Sequence, residues 1–235
     1  DIVFKAGAQS AVGLANPNLS IGTNKAVWSS YNGRGWTGDV NASSINLTTG
    51  AVSSTPMSST ADQMNAMLWS TRKIGSFNGT TGVAFTDAAI GSRLTFVPAG
   101  TTAQLVNWLR GDKSQDGLLY RKRIGILGDI VNAEPVETPD GSTIFQGAND
   151  GMLHAIDGVT GAEKWAYVPS GVHANMGALA MKTYSHRFFV DGTPTIQKLD
   201  GGSVILVGGL RAGGQGFYAL NVTNPNASSD ADVAS

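Results

Sequence analysis

Three stretches decide the fold. The first is Asp150-Gly151-Met152-Leu153-His154-Ala155-Ile156-Asp157-Gly158-Val159-Thr160-Gly161-Ala162-Glu163-Lys164-Trp165. The second is Ser185-His186-Arg187-Phe188-Phe189-Val190-Asp191-Gly192-Thr193-Pro194, and the third runs Gly208-Gly209-Leu210-Arg211-Ala212-Gly213-Gly214-Gln215-Gly216-Phe217-Tyr218-Ala219-Leu220-Asn221-Val222-Thr223. Short strand patterns alternate with glycine-rich turns, and the pattern recurs. A recurring strand unit implies blades, in which most glycine, aspartate and tryptophan side chains serve turns and packing rather than catalysis.

Working outward, residues 129–136 read as a first strand ended by Pro135, because proline cannot donate to a ladder. Pro139-Asp140-Gly141 is a turn, Thr143–Ala148 a second strand, Asn149-Asp150-Gly151 a hairpin signal, Met152–Ile156 a third strand and Lys164–Val168 a fourth. Four consecutive antiparallel strands make one blade. Asp157 is placed to accept from turn N–H groups, Gly161 to take positive φ, and Trp165 to wedge between blades.

A further blade begins at Phe188, with an inner strand over residues 188–196, a second strand Val204–Gly208 apolar enough to be covered on both faces, and a third over Gly216–Val222. Its fourth strand is missing. Upstream, Ala26–Tyr31 alternates like a strand, residues 35–42 and 45–50 echo the later Gly-x-x-x-Ala…Asp-x-x-Thr-Gly pattern, Leu68–Ile74 reads as an outer strand, and residues 53–62 as an inserted loop. Thr101 to Gln104 resembles a capping box, Leu105, Trp108 and Leu109 recur at helical spacing, and Gly111 stops the helix Thr102–Arg110. Gly171–Lys182 is a second helix or an irregular loop.

The resulting expectation is an all-β partial β-propeller of quinoprotein-like blades, about three of them visible, with short helical inserts. It divides into an N-terminal blade region with long loops (1–100), a helical insert (101–127), a central blade (128–170), an inter-blade insert (171–187) and an incomplete C-terminal blade (188–235). About three blades fall short of the roughly 4–8 of a closed ring, so the remaining blades are expected from the same parent chain. The start at Asp1, without a signal-like segment, suggests a mature product or a fragment.

Composition narrows the function. Charged residues are 14% of the chain and the formal net charge is -1, so no field for nucleic acid or anionic lipid is implied. There is no cysteine, which excludes disulfides and thiolate metal sites. No apolar run reaches the length of a membrane span. Asn-x-Ser/Thr sequons at Asn18, Asn41, Asn46, Asn78, Asn221 and Asn226 read as turn chemistry.

With these residues in hand, the chain resembles the C-terminal propeller of the PilY/PilC family of type IV pilus tip-associated adhesins. The resemblance is carried, in the family's order, by Arg110-Gly111-Asp112, by residues 127–136, by Gly147–Ala155, by His186–Pro194 and by Gly208–Val222. It implies a non-enzymatic bacterial protein at the cell surface, on the pilus tip or outer membrane, supporting pilus assembly, twitching motility and adhesion. Minor pilins, the pilus tip and host or abiotic surfaces are its implied partners. Calcium is the ion implied for the intact family propeller. This chain shows no Asp-x-Asp/Asn-x-Asp/Asn-Gly loop, and Asp230-Ala231-Asp232 is too short to be one.

Arg110-Gly111-Asp112 is the candidate for integrin-type adhesion, although helix termination already explains Arg110 and Gly111. Asp150, Gly151, Asp157, Gly161, Trp165, Asp191, Gly192 and Gly216 are candidate blade-motif residues. His154, His173 and His186 lack zinc spacing, and no nucleophile elbow or Lys-Ser/Thr phosphate loop occurs. Arg121-Lys122-Arg123 reads as a solvated edge. No catalytic, metal or cofactor residue is assigned. The blade unit also resembles that of quinoprotein alcohol dehydrogenases, which sets the competing reading; a non-adhesive scaffold for other blade proteins is the third.

Overall fold

Period-two segments separated by tight turns give three sheets. The computed structural model describes residues 7–14, as backbone, and 25–235; Asn18 lies outside them. The first sheet holds β1 (Gly7–Leu14), β2 (Lys25–Asn32), β3 (Thr37–Ser44) and β4 (Ser58–Ser59) in sequence order, all antiparallel. Helix α1 (Thr60–Ala66) follows directly, capped by the Ser59 side chain accepting from Asp62 N, so the inserted loop expected over residues 53–62 is in part strand and helix.

The second sheet is built from β5 (Ile74–Phe77) and β6 (Gly82–Ala84), then, beyond the helices α2 (Asp87–Ile90) and α3 (Thr102–Arg110), from β7 (Val136–Glu137), β8 (Thr143–Ala148), β9 (Met152–Asp157) and β10 (Glu163–Val168). Its order is β6-β5-β10-β9-β8-β7. Gly141, Gly151 and Gly161 take φ of 67°, 93° and 73° at the three turns of the meander. The β5–β10 pair is parallel, with Ile74 opposite Ala166 and Ser76 opposite Val168. The third sheet is β11 (Thr195–Lys198), β12 (Val204–Gly209) and β13 (Phe217–Asn221), after which the chain returns as helix α4 (Asp230–Val233). Among the described residues the regular structure is mostly strand with few helices, and the sheets do not close on themselves, as in a partial propeller.

Several local expectations are corrected. Leu68–Ile74 is not an outer strand. Trp69–Thr71 forms a 3-10 turn, Arg72 is drawn inward, and the strand begins at Ile74 inside the central sheet. Residues 129–135 do not pair as a strand, because Asp129 is fastened sideways to Asn149 and His186. The inner strand expected over residues 188–196 is reduced to Thr195–Lys198. Phe189 to Gly192 is buried in close approach between neighbours, where a Cβ on Gly192 would meet Gly209 O at 2.2 Å and one on Gly213 would meet Phe189 O at 1.8 Å. Strand β12 is covered on one face only: Leu206 is 0% exposed but Val207 is 44%.

The buried apolar residues gather in two clusters. The larger gathers Phe85, Trp108, Phe145, Leu153, Phe189, Leu206 and Tyr218 among others. The smaller joins Val27 and Val40 of the first sheet to Leu127, Ile130, Ile144 and Ile156. Lys25 crosses this second junction, its ammonium donating to Gly141 O (2.9 Å) and Gly158 O (2.6 Å) and lying 2.8 Å from Glu137 Oε1.

Candidate functional site

The site begins with two dipeptides that hold each other. Asp150 Oδ2 accepts from Gly128 N (3.0 Å), while Asp129 Oδ2 accepts from Asn149 Nδ2 (2.8 Å) and Asn149 N donates to Asp129 O (2.9 Å). The irregular segment before β7 is thereby stapled to the β8–β9 turn. Gly128 allows the approach, since a Cβ there would meet Asp150 N at 2.3 Å. The same segment receives the first sheet through Gly38 N donating to Leu127 O (3.1 Å). His186 Nε2 reaches Asp129 Oδ2 at 2.7 Å, and its ring lies 4.0 Å from that of Trp36, centroid to centroid.

Beneath the staple runs a buried chain of charges. Arg72 grips Glu163 with two parallel bonds, Nε to Oε2 at 2.7 Å and Nη2 to Oε1 at 2.8 Å. Such a bidentate pair is among the stronger polar contacts a protein makes. Glu163 Oε1 meets His154 Nδ1 at 2.8 Å, and His154 Nε2 faces Asp150 at 3.2 Å. Arg72 also exchanges backbone contacts with Arg110: Arg72 Nη1 donates to Arg110 O (2.7 Å), and Arg110 Nη2 donates to Arg72 O (2.6 Å). The chain of contacts therefore links the segment before β5, helix α3, strands β9 and β10, and the motif turn.

Burial alone would lower the His154 imidazole, but Asp150 and Glu163, one on each nitrogen, outweigh it and raise the group to about 9. His154 is thus an imidazolium across the physiological range. Burial would likewise raise the Glu163 carboxyl, yet Arg72 and His154 hold it well below the ordinary range. His173 behaves oppositely: burial, then Arg93, push it down to about 4. Ser76 Oγ donates to Val168 O (2.8 Å), so His173 Nε2, 2.8 Å from the same Oγ, is the donor to it, and among the described residues His173 Nδ1 has no partner.

These two histidines set a pH dependence. His154 is raised above its unfolded value of 6.5, so its contribution is complete below that pH and is lost as pH climbs through about 9. His173 is depressed, so its contribution is complete above 6.5 and is lost as pH falls through about 4. We expect a maximum of thermal stability near neutrality, a fall of roughly 5 °C toward the alkaline end, and a flattened alkaline limb in His154→Gln. A wild-type Tm constant from neutrality to pH 9 would contradict the charged assignment of His154.

The residues singled out in the sequence fall in distinct places. Asp157 Oδ1 accepts from Val159 N (3.0 Å) and Thr160 N (2.8 Å) in the β9–β10 turn. The Trp165 ring lies 5.8 Å from that of Phe145 in a tilted pair, and its indole N–H donates to Pro225 O at 2.8 Å. Asp191 is buried, accepting from Asn132 Nδ2 (2.8 Å) and facing Arg211 at 3.5 Å. Gly216 accepts from Leu210 N through its carbonyl in the glycine-rich hairpin. Asp150 and Gly151 belong to the staple; the others stand apart from it.

Arg110-Gly111-Asp112 is not displayed as a tip. Arg110 is 7% exposed, its guanidinium donating to Phe85 O (2.9 Å) and pairing with Asp230 (3.0 Å), and Gly111 closes α3 at φ 120°. The run Arg121-Lys122-Arg123 is corrected too: only Lys122 is solvated, while Arg123 lies 3.8 Å from the Trp108 ring centroid and Arg121 lies 4.4 Å from that of Tyr184. Sequence reading missed the partners of His154. Asp150 is its i−4 neighbour, and the cross-strand register of β9 with β10 delivers Glu163. Asp230 and Asp232 are engaged with Arg110 and Ser228, and among the described residues no group of three or more His, Asp or Glu side chains converges as a metal site.

The staple residues fall inside the part of the chain with recognisable relatives. Residues 124–234 match the family described as the PilY1 beta-propeller domain. A type IV pilus biogenesis factor PilY1 homolog of Xylella fastidiosa is 38% identical over 206 residues, covering 66% of this chain and 14% of its own length. A second from the same organism is 35% identical, covering 81% of this chain and 18% of its own length. The type IV pilus biogenesis factor PilY1 of Pseudomonas aeruginosa strain PAK is 37% identical over 51% of this chain and 13% of its own length. The chain thus spans less than a fifth of these relatives, and no solved structure matches it significantly. The family match together with these identities places the chain in the PilY1 family.

Proposed function

We propose that the chain is a non-enzymatic propeller portion of a bacterial surface protein that supports type IV pilus biogenesis, and through it twitching motility and adhesion. The observation that carries this reading is the likeness to relatives named as pilus biogenesis factors, together with the family match over residues 124–234, which takes in the stapled Gly128-Asp129 and Asn149-Asp150 segments. The geometry is that of a scaffold. The buried charges of Arg72, Arg110, His154 and Glu163 are spent on one another and on backbone carbonyls. Minor pilins and the pilus tip are the proposed partners, at the cell surface or outer membrane, with host or abiotic surfaces as targets. The open face of the third sheet, where Phe217 is 87% and Val207 44% exposed, is proposed to be covered by remaining blades of the same polypeptide. Calcium, in the intact propeller, is assigned to residues other than Asp230 and Asp232. Arg110 is assigned an internal role, so adhesion is proposed to use other surfaces than the Arg110-Gly111-Asp112 tripeptide.

A strain lacking the gene for this chain should lose surface pili and twitching and regain both on complementation. Normal piliation and twitching in the deletion strain would overturn the role in biogenesis.

A further inference from the structure

Three exposed cations from separate segments converge on one groove. Arg34 comes from the β2–β3 turn, Lys122 from the loop after Tyr120, and Lys182 from the segment after the 3-10 stretch Ser170–Ala180. With Trp36, Arg121 and Tyr184 they line an open groove of about 360 Å³, and among the described residues no Asp or Glu lines it. Among the described residues the side chains of Arg34, Lys122 and Lys182 make no ion pair or hydrogen bond. In a chain of net charge -1 this is a local excess of positive charge, and uncompensated cations around a concave surface concentrate anionic partners.

The floor is fixed. Arg121 Nε donates to Leu179 O at 2.6 Å. Trp36 is held at φ 50°, an uncommon conformation for a bulky residue, and is stacked on His186. Backbone strain of this kind persists only where the surroundings over-determine it. The rim is apolar as well as basic: Ile124, which lines the groove, is 72% exposed, and Leu118 nearby in the chain is 67% exposed.

We propose that this groove binds an acidic polypeptide segment, its carboxylates against Arg34, Lys122 and Lys182 and an apolar side chain against Ile124. Charge complementarity selects an anion. The apolar rim at Ile124 selects a polypeptide, which can set an apolar side chain beside its carboxylates, over an acidic polysaccharide, whose repeat is uniformly polar. This goes beyond the pilus reading and does not depend on it.

The test uses the 235-residue chain and a fluorescently labelled Glu-rich peptide with a central Leu, followed by anisotropy. Binding is expected to weaken roughly tenfold or more in Arg34→Glu/Lys182→Glu, to weaken in Ile124→Ser, and to stay unchanged in Lys198→Glu on β11. Raising salt from about 50 mM to about 500 mM should weaken it as the Debye length shrinks. These side chains are exposed, so melting curves should match wild type and separate lost binding from lost folding. No peptide binding up to about 1 mM, or equal binding by the charge-reversed and wild-type chains, overturns the proposal. So does binding of polygalacturonate in place of the peptide, which would assign the groove to acidic saccharides.

Discussion

Glu163→Ala should cost the fold about 3–5 kcal/mol, the usual consequence of removing one partner from a buried ion pair. The substitution strands two cations at once. Arg72 is 3% exposed and His154 is 0% exposed, and each loses a carboxylate oxygen at 2.8 Å or less. His154 would keep only Asp150, and Arg72 only the Arg110 carbonyl and the Met152 sulfur. For a chain of this length the expected fall in Tm is roughly 6–20 °C by thermal denaturation. The cost comes from uncompensated charge rather than from the lost contact alone. Replacing the triad together, as Arg72→Met/His154→Leu/Glu163→Leu, should therefore recover much of the loss. A Glu163→Ala fold weakened by under about 1 kcal/mol would mean that water reaches the triad and the interior assignment is wrong.

The recurring turns were readable because their chemistry is local. Asp157, Gly141, Gly151 and Gly161 act within a few residues of themselves, so β8, β9 and β10 fall close to the strands read from the sequence. The helix Thr102–Arg110 was readable for the same reason: its Thr101–Gln104 cap and its Gly111 stop are self-contained. What stayed hidden is non-local. Strand β5 joins β10 in parallel across a long separation, and Arg72 finds Glu163 at a distance of 91 residues in sequence. Period-two patterning does not state which strand is the neighbour. The triplet Arg121-Lys122-Arg123 misleads in a related way, since nothing adjacent announces that Trp108 and Tyr184 wait to receive its two arginines. At the candidate site the signals Gly128-Asp129 and Asn149-Asp150 were visible as motifs. Their mutual hydrogen bonds were not, and that reciprocity explains why both dipeptides carry the residues they do.

Trp108→Ala should be of similar severity, about 3–5 kcal/mol, as is usual for removing a buried tryptophan. Trp108 is 2% exposed on α3, and its ring lies 5.6 Å from that of Tyr120. It also carries two guanidinium groups, Arg123 at 3.8 Å and Arg121 at 5.8 Å from its centroid, and donates Nε1–H to Asp116 Oδ1 at 2.6 Å. Burial holds Arg123 down to about 10, with Asp116 acting against the shift, so removing the ring would leave a poorly solvated cation above a cavity. Trp108→Phe separates the contributions. It keeps an aromatic platform and loses chiefly the Asp116 hydrogen bond, a change of about 1–2 kcal/mol. Arg121 backs the basic groove, so the alanine variant should also weaken binding of the acidic peptide while the phenylalanine variant largely preserves it. If Phe proves as costly as Ala in urea unfolding, the bond to Asp116, rather than the ring beneath the two arginines, is what holds the loop from Asp112 to Arg123 against α3.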